Sequence, residues 1–173
     1  MHPESRLIPR PSQSRLNELG EWFTAEYPDL LRFAYFLVAN RQESEDLVQE
    51  AFVRIYRAGP KVSPPGFRAY ARRTVLNLAR SGFRRRRREL VALARMSLKR
   101  NKEAVDSPTR VDVRRALVSL PVLQRACLAM RFYDGLKERE IADALEMSLS
   151  AVKKQVERGL KALAVGLDEG ESR

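Results

Sequence analysis

The sequence predicts an all-α protein of two small helical domains joined by a basic linker, and three observations carry that expectation. Apolar residues recur at helical spacing along most of the chain, and no run alternates as a strand would. A proline-rich stretch, Gly59 to Gly66, and a mostly polar one, Glu89 to Arg110, separate the periodic segments. The 173 residues suffice for one domain or two small ones, at roughly 100–200 residues per domain. With 44% apolar and 32% charged residues, the composition is that of a globular chain.

Taken in order, Leu16, Leu19, Trp22 or Phe23, and Tyr27 mark a first helix that should stop at Pro28. Leu30, Leu31, Ala34, Leu37 and Val38 mark the next, with Asp29 in its first turn. Asn40 to Glu43 is polar, and Ser44 is the expected N-cap of a third helix. That helix has Leu47, Val48, Ala51, Phe52, Ile55 and Tyr56 on its apolar face and ends at Gly59-Pro60. Gly59 to Gly66 should be a loop. A further helix begins near Phe67, buries Phe67, Ala71, Thr74, Val75 and Leu78, and runs into Arg84–Arg88. The expected organisation is a tail (1–14), an N-terminal domain (15–88), a linker (89–110), a second domain (111–167) and a short tail (168–173). The linker has a break at Asp106-Ser107-Pro108 and room for a frayed helix around Leu90–Leu98. In the second domain, Val113, Leu117 and Leu120 precede Pro121, a good first-turn residue. Leu123, Ala126, Cys127, Met130 and Phe132 follow on one face, Asp134-Gly135 ends that helix, and Cys127 is a core residue.

The formal charge of +11 is unevenly placed. Residues 1–67 hold 8 basic and 9 acidic side chains, and residues 103–173 hold 12 of each. Arg68 to Lys102 holds 13 basic residues and only Glu89 as an acid. Like charges packed this densely repel, and a polyanion relieves them. A solvated basic tail is the plain alternative for Arg84–Arg88, but the tract is internal and continuous with a helical pattern.

Several classes are excluded. The sole histidine, His2, lies in the tail, so His-dependent acid–base or triad chemistry has no candidate in the folded part. There is no Gly-rich phosphate loop. Asp46 and Glu50 lack the partners a metal site needs. No catalytic residue, metal, cofactor or small-molecule substrate is expected. One cysteine forms no internal disulfide and suits a reducing cytosol, so a cytoplasmic location is expected. The longest apolar runs fall far short of the ~20 residues of a membrane helix. Met1 to Arg15, with three prolines and no apolar core, reads as a tail rather than a signal peptide.

The strongest local signal is Lys137 to Lys161. Ile141, Ala142 and Leu145 mark a short helix, Glu146-Met147-Ser148 a tight turn, and Leu149, Val152, Val156, Leu160 and Leu163 a longer helix. This is the pattern of a helix-turn-helix, with Ser148 capping the second helix. Ser150, Ala151, Lys153, Lys154, Gln155, Glu157 and Arg158 fall outward, as a major-groove reader requires. Glu146 stands where such turns favour Gly, and a non-Gly residue at positive φ costs roughly 1 kcal/mol.

Both halves together resemble the extracytoplasmic-function (ECF) sigma factors, over roughly Leu16 to Leu163. The run Asp46-Leu47-Val48-Gln49-Glu50-Ala51-Phe52, continuing to Arg54 and Tyr56, looks like the sigma helix that docks on RNA polymerase. The resemblance implies that Asp46, Leu47, Gln49, Glu50, Val53 and Arg54 bind core polymerase. Phe67-Arg68-Ala69-Tyr70, Arg73, Asn77-Leu78-Ala79-Arg80 and Arg84–Arg88 resemble the promoter-melting and minus-ten segment. It assigns Phe67, Tyr70, Arg73, Asn77, Arg80, Arg84 and Arg85 to a single strand held by aromatic stacking and cations. Tyr70 replaces a more usual Trp, Ser81 an Asp, and the combination is similar to the actinobacterial sigma-E-like subgroup. Leu120-Pro121-x-x-Gln124-Arg125, Glu140-Ile141-Ala142 and Ser148 with Val152-Lys153 and Arg158 resemble the minus-thirty-five-reading domain. There the implied DNA contacts are Ser148, Ser150, Lys153, Lys154, Gln155 and Arg158, while Ala151 stands where many members carry Thr.

The expected function is a dissociable initiation factor whose partners are core RNA polymerase and promoter DNA. Such factors are often held by an anti-sigma factor, which nothing in the residues themselves shows. The rivals are a stand-alone helix-turn-helix regulator and an RNA-binding adaptor using the arginine tract; the second leaves the helix-turn-helix unused.

Overall fold

The structure is a computed structural model and describes residues 13–58, 64–94 and 116–171. Among these residues run six α-helices: α1 Gln13–Val38, α2 Arg41–Ala58, α3 Pro64–Ala94, α4 Val122–Leu128, α5 Glu138–Leu145 and α6 Leu149–Glu171. Residues 116–119 form a further helical turn, and there is no strand among the described residues. No helix is long and apolar enough to cross a membrane.

The first expected break does not occur: α1 runs through Pro28 as one helix. Leu19, Leu30, Phe33, Ala34 and Leu37 lie on one continuous stripe and are all buried. An interior proline costs about 3 kcal/mol. Each buried large apolar side chain returns about 1.5–3 kcal/mol, so the stripe outweighs the lost hydrogen bond. The helix ends instead at Ala39, whose φ of 53° turns the chain sharply.

That turn starts α2 earlier than expected. Asn40, not Ser44, is the cap: its Oδ1 accepts the Glu43 N–H at 2.9 Å. Ser44 is buried, and its Oγ donates to the Asn40 carbonyl at 2.6 Å. Helix α3 also starts early, at Pro64, because proline in a first turn loses no intrahelical bond. Pro64 to Gly66 are therefore helix rather than loop, while 59–63 lie outside the described residues. At its other end α3 carries Arg84–Arg88 and continues to Ala94, into the expected linker. The remaining linker residues and Val113 lie outside the described set.

Helices α1, α2 and α3 share a core, with Phe23 against Phe52 (ring centroids 4.2 Å apart) and Trp22 against Phe67 (5.8 Å). Pro121 precedes α4 as its cap, its carbonyl accepting the N–H groups of Gln124 and Arg125. A π-helical turn, Ala129–Tyr133, extends α4, and the chain leaves at Asp134-Gly135, Gly135 having φ 69°. Helix α6 crosses α4 closely at Gly159, where a methyl group would come within 2.9 Å of Leu128 Cδ1. Gly159 takes the inward place expected for Leu160, which is 44% exposed. The two halves do not stand apart: buried residues of both form one continuous apolar cluster.

Candidate polymerase and nucleic-acid interfaces

On α2, Asp46, Gln49, Glu50, Val53 and Arg54 are exposed in one band, while Leu47 is half-buried against the core. Arg54 Nε donates to Glu50 Oε1 at 2.8 Å, and Gln42 Nε2 to Asp46 Oδ1 at 3.3 Å. Both are i,i+4 contacts in solvent, so they order the face without closing it. Val53 (37% exposed) and Tyr56 add apolar area to the polar band. Beside it, an open groove of about 600 Å³ between α2 and α3 has Glu43, Asp46 and Glu50 on one wall and Gly82, Arg85 and Arg86 on the other. Arg86 forks onto Glu43, with Nη1 to Oε2 at 2.9 Å.

Helix α3 places Tyr70, Arg73, Asn77, Arg80 and Arg84 at three- and four-residue spacing along one side. Asn77, Arg80, Arg84 and Arg85 are exposed. Tyr70 is half-buried, with the Arg73 guanidinium 5.3 Å from its ring centroid. Phe67 corrects the sequence-based assignment. It is 2% exposed and packs on Trp22, so its ring belongs to the core and offers no face to a base. Arg68 is held by Glu26 at 2.8 Å and Asp29 at 2.7 Å. Its hydrogen bond to Glu26 holds Arg68 above its ordinary value, and the one Arg32 donates to Asp29 holds that carboxyl below the usual carboxylate range.

The helix-turn-helix has the expected elements. The Glu140 carboxylate accepts the Lys137 N–H at 2.6 Å and anchors the start of α5. Glu146 ends α5 at φ 53°, ψ 47°, the left-handed geometry its position demands. Ser148 Oγ accepts the Ala151 N–H at 3.2 Å, capping α6. Val152 and Val156 point inward. Ser148, Ser150, Lys153, Lys154 and Arg158 are exposed and Gln155 is half-buried. None of the three cations is ion-paired among the described residues.

Contacts that sequence reasoning did not foresee join the halves. Arg72 of α3, 1% exposed, forks onto Asp134, 8% exposed, with Nε–Oδ2 and Nη2–Oδ1 both 2.8 Å. Its Nη1 lies 3.8 Å from Glu26. Arg73 pairs with Glu146. Arg125 of α4 is 3% exposed, stacks 5.0 Å from the Phe83 ring centroid and leaves Nε and Nη1 without partners. Burial pushes its guanidinium down to about 10. Sixty-two residues separate Arg72 from Asp134, and no local spacing rule reaches that far. Cys127 is buried, and burial pushes its thiol up to about 11. Among the described residues, no group of His, Cys, Asp and Glu could hold a metal ion.

Comparison with known proteins bears on both halves. The family described as Sigma-70 region 2 matches residues 22–89, and Sigma-70, region 4 matches residues 110–163. The ECF RNA polymerase sigma factor SigE of Mycolicibacterium smegmatis is 32% identical over 76% of this chain, and the match spans 54% of that protein. The RNA polymerase sigma-E factor of Streptomyces avermitilis is also 32% identical, over 87% of this chain and 86% of its own. Among solved structures, the sigma factor RpoE of Bartonella quintana, crystallised with the anti-sigma factor NepR, has the same fold. Its TM-score is 0.64 at 21% identity, covering 91% of this chain and 98% of its own. With both family regions in order and a relative matched over nearly its whole length, the chain belongs to the ECF sigma factors, which act on core RNA polymerase rather than as stand-alone regulators.

Proposed function

We propose that this chain works as an initiation factor through three separate faces. The exposed band Asp46, Gln49, Glu50, Val53 and Arg54 on α2, with Leu47 beneath it, docks core polymerase. Tyr70, Arg73, Asn77, Arg80, Arg84 and Arg85 on α3 hold the melted minus-ten strand, the ring stacking and the cations following phosphates. Ser148, Ser150, Lys153, Lys154, Gln155 and Arg158 at the start of α6 read the minus-thirty-five duplex in the major groove. The domains meant are residues 15–88 and 111–167, joined by the basic linker. No step in this role is catalytic, and the work is done in the compartment that holds the polymerase. A protein of the anti-sigma kind, such as crystallised with the Bartonella relative, would compete for the α2 or α6 face.

The single observation that carries this reading is α6. Lys153, Lys154, Arg158 and the Ser150 hydroxyl are solvent-facing, and the three cations are free of ion pairs among the described residues, while Val152 and Val156 fix the helix from behind. The test is transcription with purified core polymerase and a pool of promoter fragments at physiological salt. The reading expects specific start sites that share two upstream elements. Tight duplex binding with no association with core would overturn it.

A further inference from the structure

The arginine tract at the end of α3 is divided between two sides of the helix, and one of its members faces away from the strand side. Resting on the reading of α3 as the strand-holding helix, we propose that Arg86 is a positioning residue. It clamps the end of α3 to Glu43 of α2, and thereby fixes where Arg84 and Arg88 meet strand phosphates.

Helical spacing separates the two sides. Tyr70, Arg73, Asn77, Arg80, Arg84 and Arg88 follow one another at three- and four-residue steps and form the strand-facing stripe. Arg72, Val75, Ala79, Gly82 and Arg86 follow at the same steps on another stripe. Positions two apart on a helix of 3.6 residues per turn differ by about 200°, so Arg86 points nearly opposite to Arg84 and Arg88. The first three members of its stripe, Arg72, Val75 and Ala79, are buried. Arg86 therefore prolongs the core-facing side of α3 rather than the side that meets the strand.

The contacts agree. Ala79 is the last buried residue of α3 among the described residues. Beyond it Phe83 is half-buried and Arg84, Arg85 and Arg88 are exposed, so the tract overhangs the core. Arg86 ties the overhang back. Its guanidinium forks onto the Glu43 carboxylate, with Nη1 to Oε2 at 2.9 Å and Nη2 to Oε1, and lies 5.2 Å from the Phe83 ring centroid. A forked pair fixes direction as well as distance. Glu43 is a firm anchor: its N–H is bound by the Asn40 cap, and its charge suits the first turn of α2. Gly82 leaves the path of the guanidinium open, since a methyl there would already stand 3.7 Å from Arg86 Nη2. Arg84 and Arg88, four apart, repel one another and loosen this end of the helix, which the tie opposes.

The test is a double-mutant cycle on the full chain, read by the anisotropy of a short, labelled, mixed-sequence single strand. The variants are Glu43→Gln, Arg86→Gln and the two together; both side chains are partly exposed, so each variant should fold. Charge alone expects Glu43→Gln, which removes an acid, to tighten binding of a polyanion. The clamp expects the opposite sign. Each single variant should weaken binding about two- to five-fold, the range a partly exposed ion pair can supply, and the double variant no further. A stabilising role alone would lower the urea midpoint and leave strand affinity unchanged. Tighter or unchanged binding by Glu43→Gln, or unchanged binding by Arg86→Gln, would overturn the proposal. So would a loss from Arg86→Gln that is the same with and without Glu43, the mark of a direct phosphate contact. Arg84→Gln is the reference, and it should weaken binding and flatten the salt slope by roughly 0.7. With that reference met, failure of the cycle falls on Arg86 alone. Without it, the strand-holding reading of α3 fails and this inference with it.

Discussion

Two cationic faces of this molecule are proposed to meet nucleic acid, and they are kept in opposite states. On α6, Lys153, Lys154 and Arg158 stand in solvent with no carboxylate against them among the described residues. On the inner half of α3, Arg68, Arg72 and Arg73 are each held by acids: Glu26 and Asp29, Asp134, and Glu146. The outer half, Arg80, Arg84, Arg85 and Arg88, is exposed again. Net charge alone would have treated these stretches alike. What separates them is that α3 lies between two other elements that both carry acids, α1 and the turns around α5. Charge predicts the class of partner, and packing decides which cations are available to it.

The largest expected effect breaks the covered side. Asp134→Ala leaves Arg72 buried without its fork, a loss of about 3–5 kcal/mol of stability. The urea midpoint followed by Trp22 fluorescence should fall, whereas the apolar pair Arg72→Met with Asp134→Leu should leave it near the wild-type value. Next comes the open side. Lys154→Ala or Gln155→Ala should cost about 1–3 kcal/mol of discrimination between duplex sequences. Alanine at Arg84–Arg88 should instead weaken binding across all sequences and flatten its salt slope by roughly 0.9 for each phosphate no longer neutralised. Titrations on matched and scrambled duplexes at several salt concentrations separate the two outcomes.

A smaller effect sharpens the comparison at the two non-Gly residues held at φ 53°, Ala39 and Glu146. Ala39→Gly should raise stability by about 1 kcal/mol through relief of strain, read as a higher urea midpoint. Glu146→Gly relieves the same strain but removes an acid from Arg73, so its gain in the helix-turn-helix should be offset by the lost ion pair. The smallest effect concerns Cys127. Its thiol is pushed up to about 11 from an ordinary value of 9.0, so the unfolded chain loses that proton first. The sign follows: the contribution is intact below pH 9.0 and is lost as pH rises toward about 11. A thiol reagent at neutral pH should label Cys127 only in denaturant.

Much of this was legible in the residues. The helix-turn-helix boundaries, the Ser148 cap and the strained Glu146 follow from local spacing, because a hairpin of short helices is specified by neighbours three and four apart. The Pro28 break failed because a local rule met a buried stripe spanning both sides of it. Ser44 gave way to Asn40 for a related reason: Ala39 turned the chain early, and that depends on the packing of α1. Phe67 carried two readings at once, core and strand contact, and only burial against Trp22 decided between them. Arg72 with Asp134, and Arg125 on Phe83, were illegible, since each contact joins distant segments and no periodicity encodes it.

The most direct measurement of the account is hydrogen exchange on the full chain, alone and with core polymerase. Docking should slow exchange along α2 relative to the free chain. Unchanged exchange in α2 would contradict the docking face.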